Sequence, residues 1–190
     1  VMPGVRKALK WVPGAILPKL ERELAALIQY QQVSQKLRHA NLVPIEHVNR
    51  TAEGLFYVMP LADGLHATTP DDPAWRSASL LGLIESHRRE NTWFSSQEIV
   101  HLMMPLLVAL QQLSDAGIVH RDVKPENILL INGLPFLADI SLLGEDTIDM
   151  TQRGTPGFVA PSWYLESGGH PDQYGAAATL YCLLTGNSPD

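Results

Sequence analysis

The sequence predicts a mixed α+β fold, and three observations carry the prediction. Of its 190 residues 45% are apolar, enough for one ordinary core and too many for a disordered chain. Short strand-like segments surround a helix pattern near the N-terminus and recur after Gly117. Between and beyond them, apolar residues recur three or four apart, the period of an amphipathic helix.

Residues 4 to 12, GVRKALKWV, alternate loosely and predict a strand closed by Pro13 and Gly14. Residues 18 to 37 predict a helix: Pro18 suits a first turn, and Leu20, Leu24, Leu27 and Ile28 form one apolar face. Residues 42 to 48 and 55 to 61 predict two short strands around the polar turn NRTAEG. TTPDDP is a connector, SLLGLIE a short helix, and SHRRENTW a small basic group expected to be solvated surface. Ser95 or Ser96 caps the next helix, with Glu98 placed to reach back. Ile99, Met103, Leu106, Leu110 and Leu113 mark its inner face up to the Asp115-Ala116-Gly117 stop, and Pro105 is placed to kink it. IVH, NILLI and PFLAD then predict three brief strands. A polar loop from Gly144 to Arg153, a Gly/Pro-punctuated segment to Pro161 and a helix from Gln173 to Leu184 follow.

Charge and composition narrow the function classes. The formal net charge of -6 gives no support for a surface devoted to nucleic acid, and no nucleic-acid partner is expected. The one cysteine, Cys182, forms no internal disulfide and favours a reducing compartment, so a cytoplasmic location is expected. No apolar run approaches the length of about 18 residues that a spanning helix needs, and LMMPLLVAL is too short. Membrane attachment through sequence outside this chain stays open.

The chemistry is concentrated in HRDVKPENILL, residues 120 to 130. Asp122 can accept a proton from a hydroxyl, Lys124 can neutralise a transferring phosphoryl group, and Asn127 can offer an oxygen to a hard cation. A tight Asn132-Gly133 turn would fold the chain back and bring Asp139 beside Asn127, where the two could share Mg2+.

In order and spacing these residues resemble the catalytic loop of the eukaryotic-type protein kinase domain, serine/threonine class, of the sort also found in bacteria. The resemblance implies a two-lobed protein kinase-like fold with ATP and Mg2+ as cofactors and a protein Ser/Thr hydroxyl as acceptor. It makes Asp122 the base, Lys124 a phosphate contact, and Asn127 and Asp139 the metal ligands. Arg121 resembles the arginine that pairs with a phosphorylated loop, which implies control through Thr151 or Thr147, with Arg153 sharing the phosphate. Asp139-Ile140-Ser141 stands where the family has Asp-Phe-Gly. Gly154 to Pro161 resembles the substrate-facing loop, with Thr155 near Asp122 and Lys124, and Ser162 replaces the usual glutamate. Asp172 resembles the aspartate that holds the catalytic-loop backbone, its plain alternative being a helix cap.

Towards the N-terminus, Ala8-Leu9-Lys10 resembles the strand whose lysine grips the alpha and beta phosphates, with Lys7 a rival. The helix should supply that lysine's glutamate, and of Glu21 and Glu23 the alignment prefers Glu23. LFYVMPLADG resembles the strand and hinge that clasp adenine, with Met59 as gatekeeper, Ala62 giving hinge backbone groups, and Ala8 and Leu129 above and below the base. The resemblance divides the chain into part of an N-lobe (residues 1–61), a hinge (62–65) and part of a C-lobe (66–190). No GxGxxG occurs, and the family pattern continues beyond LLTGNSPD, so the expectation is a domain incomplete at both ends and inactive by itself. Leu180, Leu183 and Leu184 are then expected to leave apolar area exposed. The competing expectations are a pseudokinase or regulatory scaffold of the same fold and a small-molecule phosphotransferase.

Overall fold

A computed structural model describes residues 6–13, 17–37, 41–65, 69–139 and 155–189. Its elements are β1 (Lys7–Pro13), α1 (Leu17–Lys36), β2 (His47–Arg50), β3 (Gly54–Pro60), α2 (Leu80–Glu90), α3 (Ser96–Asp115), β4 (Ile128–Ile131), β5 (Leu134–Leu137), α4 (Ser162–Glu166) and α5 (Pro171–Thr185). A single 3-10 turn, Pro125–Asn127, precedes β4. The fold is α+β.

The larger sheet is antiparallel in the order β1-β3-β2. Ala8 faces Met59 and Lys10 faces Tyr57 in its register, so these four side chains share one face. Leu9 and Trp11 point the other way and are exposed. On the inner side, Leu27 and Tyr30 of α1 join Leu55 and Tyr57 of β3 in the core. Tyr30 is fully buried, and its hydroxyl donates to the Val43 carbonyl at 2.8 Å. Burial pushes that phenol well above its ordinary range, so it stays a neutral donor.

Strand 42–48 forms only from His47 onward. Pro44 interrupts it, and the chain before it pairs elsewhere: Leu42 bridges to Leu137, and the Val43 N–H donates to the Leu137 carbonyl at 2.8 Å. This segment thus fastens the larger sheet to the β4-β5 hairpin. Pro13 is the last residue of β1 rather than the residue after it. IVH is not a strand, because the His120 and Arg121 N–H groups donate to the carboxylate of Asp172 and not to a neighbouring strand.

The helical part centres on α3, which packs against β5 and α5. Leu102, Met103, Leu106, Ala109, Leu110 and Leu113 form its buried face, and Pro105 lies within the helix. Ser95 and Glu98 make the reciprocal capping box that the sequence predicts. α2 runs past SLLGLIE to Glu90, carrying His87, Arg88 and Arg89 in its last turn, where positive charge suits the helix dipole. The expectation for α5 needs correction: Leu183 is buried at 1% exposure, and only Leu184, at 59%, stands clear. Among the described residues no helix is long and apolar enough to cross a membrane.

Candidate active site

The β4-β5 hairpin and the loop before it build the site. Asn132 and Gly133 have φ of 53° and 74°, the paired left-handed conformation of a two-residue hairpin turn. The hairpin returns the chain so that the Ala138 N–H donates to the Asn127 carbonyl at 2.7 Å, setting Asp139 beside Asn127. Asp139 itself has φ of 63°, a conformation non-glycine residues adopt at a cost of order 1 kcal/mol or more and hold where surroundings impose it.

Arg121 shares that left-handed geometry, with φ of 68°. The buried carboxylate of Asp172, on the first turn of α5, accepts from the His120 N–H at 2.8 Å and the Arg121 N–H at 2.7 Å. Asp172 is therefore the anchor of the loop and not the cap of its helix, a role taken by His170. Gly175, one turn further, lets α5 approach the loop closely: a Cβ there would lie 2.7 Å from the Val123 carbonyl oxygen.

Between these supports three polar residues of the loop meet Thr155. Lys124 Nζ stands 3.0 Å from Asp122 Oδ2 and donates to Thr155 Oγ1 at 2.7 Å. Asn127 Nδ2 donates to Asp122 Oδ2 at 2.7 Å and to the Asp122 carbonyl at 2.9 Å. Both side-chain contacts end on Oδ2, which leaves Oδ1 to meet a hydroxyl. Asn127 gives its amide hydrogens to Asp122 and so keeps its side-chain oxygen for other work.

His120, to which sequence reasoning assigned no role, ties this cluster to the hairpin. It is fully buried, its Nε2 lies 3.1 Å from the Ala138 carbonyl, and the Asp122 N–H reaches its Nδ1 at 3.4 Å. Burial holds the imidazole below its ordinary pKa of 6.5 in spite of Asp172, Asp122 and Asp139 nearby. A neutral ring with Nε2–H donating and Nδ1 accepting satisfies both contacts. The only advance signal was its place at the head of HRDVKPEN.

The upper half of the site is partly assembled. Lys10 reaches from β1 to the Asp139 carboxylate, with its Nζ 5.9 Å from the Tyr57 ring centroid. Asp139 is thus a partner of Lys10 that the sequence reading did not name. The two charges are 36% and 30% exposed, placed on facing ends of the sheet and hairpin, and attract directly. The side chain of Glu23 lies outside the described residues. Glu21 is exposed and sits 3.9 Å from Arg50, and Lys7 pairs with Glu46, so neither rival enters the site. Ala62 is buried just after β3, and Leu129 lies in β4, bridged to Ser79. Ile140, Ser141, Thr147, Thr151, Arg153 and Gly154 lie outside the described residues.

Among the described residues no three His, Cys, Asp or Glu side chains gather as a metal centre. Asn127 and Asp139 offer two hard oxygen donors. That set suits Mg2+ held largely by substrate phosphates and water rather than by an all-protein cage.

The family profile described as protein kinase domain matches residues 8–189. The chain belongs to the protein kinase domain family. Among curated proteins, the kinase domain is similar to a probable serine/threonine-protein kinase, fhkC, of Dictyostelium discoideum (29% identity over 98% of this chain and 30% of that protein). It is also similar to serine/threonine-protein kinase D2 of Homo sapiens (30%, covering 83% of this chain and 17% of that protein). A third relative is calcium/calmodulin-dependent protein kinase type 1B of Rattus norvegicus (29%, covering 96% of this chain and 50% of that protein). The chain therefore spans half or less of the length of these three relatives.

Proposed function

We propose that the protein is an ATP-dependent serine/threonine protein kinase of the cytoplasm. The cluster of Asp122, Lys124, Asn127 and Thr155 carries this reading, supported by the serine/threonine kinase names of the relatives. In this reading residues 1–61 belong to the N-lobe, 62–65 are the hinge, and 66–190 belong to the C-lobe. Ala8, Met59, Ala62 and Leu129 enclose adenine. Lys10, oriented by Glu23, holds the phosphates. Asn127 and Asp139 would hold Mg2+, which would neutralise charge on the phosphates.

The chain's own residues do the rest. Asp122 Oδ1 receives the acceptor hydroxyl and its proton, while Asn127 and Lys124 fix the carboxylate through Oδ2. The Lys124 ammonium stands where negative charge grows on the transferring group, and Thr155 holds it there. Lys10 must leave Asp139 for the phosphates, so the two charges exchange partners when nucleotide enters. A second reading, a scaffold of kinase fold without transfer, is favoured by that same Lys10–Asp139 contact if it persists.

In the full-length protein Asp122→Ala should abolish transfer to a peptide while Mg-ATP binding persists. Thr155→Val should lower kcat about tenfold, as expected for one lost hydrogen bond to a charged group. Transfer at the parent rate by Asp122→Ala would remove Asp122 as base. Parent protein that binds Mg-ATP but transfers nothing would favour the scaffold.

A further inference from the structure

Asp63 makes four hydrogen bonds in a short reach, three of which join the hinge to the hairpin and one of which joins it to Ala78. Its N–H donates to the Leu130 carbonyl at 2.8 Å, and its carbonyl accepts from the Ala78 N–H at 2.7 Å. The Leu130 N–H in turn donates to the Ala78 carbonyl at 2.9 Å, closing a ring of three backbone segments. The carboxylate accepts from both turn amides, Asn132 N–H at 3.0 Å on Oδ1 and Gly133 N–H at 2.8 Å on Oδ2. The residue before it is Ala62, and the residue before Leu130 is Leu129.

We propose that Asp63 is a positioning residue that sets the separation of hinge and adenine floor. Both amides of a left-handed turn point to one side, and a carboxylate with two oxygens matches them where a single acceptor would not. Holding the turn fixes the register of β4 against the hinge strand, and Leu129 moves with β4. Asp63 touches neither the phosphates nor the reacting atoms, so its influence falls on the base-binding end of the nucleotide. This inference rests on the kinase reading and deepens it.

The test is binding of adenosine and of Mg-ATP to the full-length protein, measured by calorimetry for the parent, Asp63→Asn and Asp63→Ala. Asp63→Ala should weaken adenosine and Mg-ATP by the same factor, about fivefold, the order expected when two turn amides lose their acceptor. Asp63→Asn keeps one acceptor oxygen and should fall between, which also supplies a result if the alanine variant does not fold. In the transfer assay KM for ATP should rise more than KM for the peptide. Unchanged adenosine affinity in both variants, or loss confined to Mg-ATP, would overturn the inference while leaving the kinase reading intact. A parent protein that binds neither ligand would overturn both.

Discussion

At the scale of single residues, His120 shows how burial decides a charge state. Three carboxylates favour its protonation, yet complete burial outweighs them and holds the ring neutral. Its folded pKa lies below the unfolded value, so at mildly acid pH the unfolded chain binds the extra proton. Stability from this group is therefore full above about pH 6.5 and declines as pH falls below it. Denaturant midpoints of the parent should drop between pH 7 and 5.5 by more than those of His120→Asn, whose side chain does not titrate. Equal slopes would show that His120 titrates alike in both states. Single residues were also where sequence was most and least informative. Asp122, Lys124 and Asn127 lie within one short motif, so their meeting was legible. Asp63 and the turn amides it holds are far apart in sequence, and no local pattern signals such a pairing.

At the scale of elements, α1, α3 and α5 were legible nearly to the residue, because apolar period marks them from within, whereas α2 runs on past SLLGLIE to Glu90 and α4 was not foreseen. α3 has both a capping box and a continuous apolar face. Two of the short strands were not: the segment at 42–48 is apolar enough for a strand, but its first residues pair according to where Leu137 stands. The same holds for 118–120, where the Ile118 N–H donates to the Leu113 carbonyl and the His120 N–H to Asp172. Contact between α5 and the catalytic loop likewise depends on one missing methyl group. Gly175→Ala would place a Cβ 2.7 Å from the Val123 carbonyl and 2.9 Å from its Cβ. The helix would have to retreat, at a cost of about 1–3 kcal/mol. Because Val123 lies between Asp122 and Lys124, kcat should fall with it. Gly175→Ala with parent stability and parent kcat would show that the loop yields freely.

At the scale of the molecule, polar links among the described residues join the larger sheet to the helical part. Segment 41–43 is pinned to β5 by backbone bonds, the Asn41 side chain donates to the Pro135 carbonyl at 2.8 Å, and Lys10 spans to Asp139. A ligand gripped from both sides should therefore stabilise the whole. Mg-ATP at a hundred times its Kd should add about 2.7 kcal/mol to the unfolding free energy of the full-length protein. Asp139→Ala should lose the part of this gain that depends on Mg2+ while keeping the part given by ATP with chelator. A metal-dependent shift that survives in Asp139→Ala would assign the metal to other residues. The family was legible at this scale through one motif and its spacing. The contact of Lys10 with Asp139 joins residues 129 positions apart, and no local pattern signals it.

The Asn132-Gly133 turn has a further consequence, for the chemical ageing of the protein. An Asn-Gly pair deamidates when the glycine nitrogen attacks the preceding side-chain carbonyl and closes a five-membered ring. In this hairpin the Gly133 N–H is committed to Asp63, and the turn geometry is fixed from both strands. The nucleophile is thus engaged and the ring-closing conformation is out of reach without opening the hairpin. The carboxylate that holds the turn amides also protects the side-chain amide of Asn132.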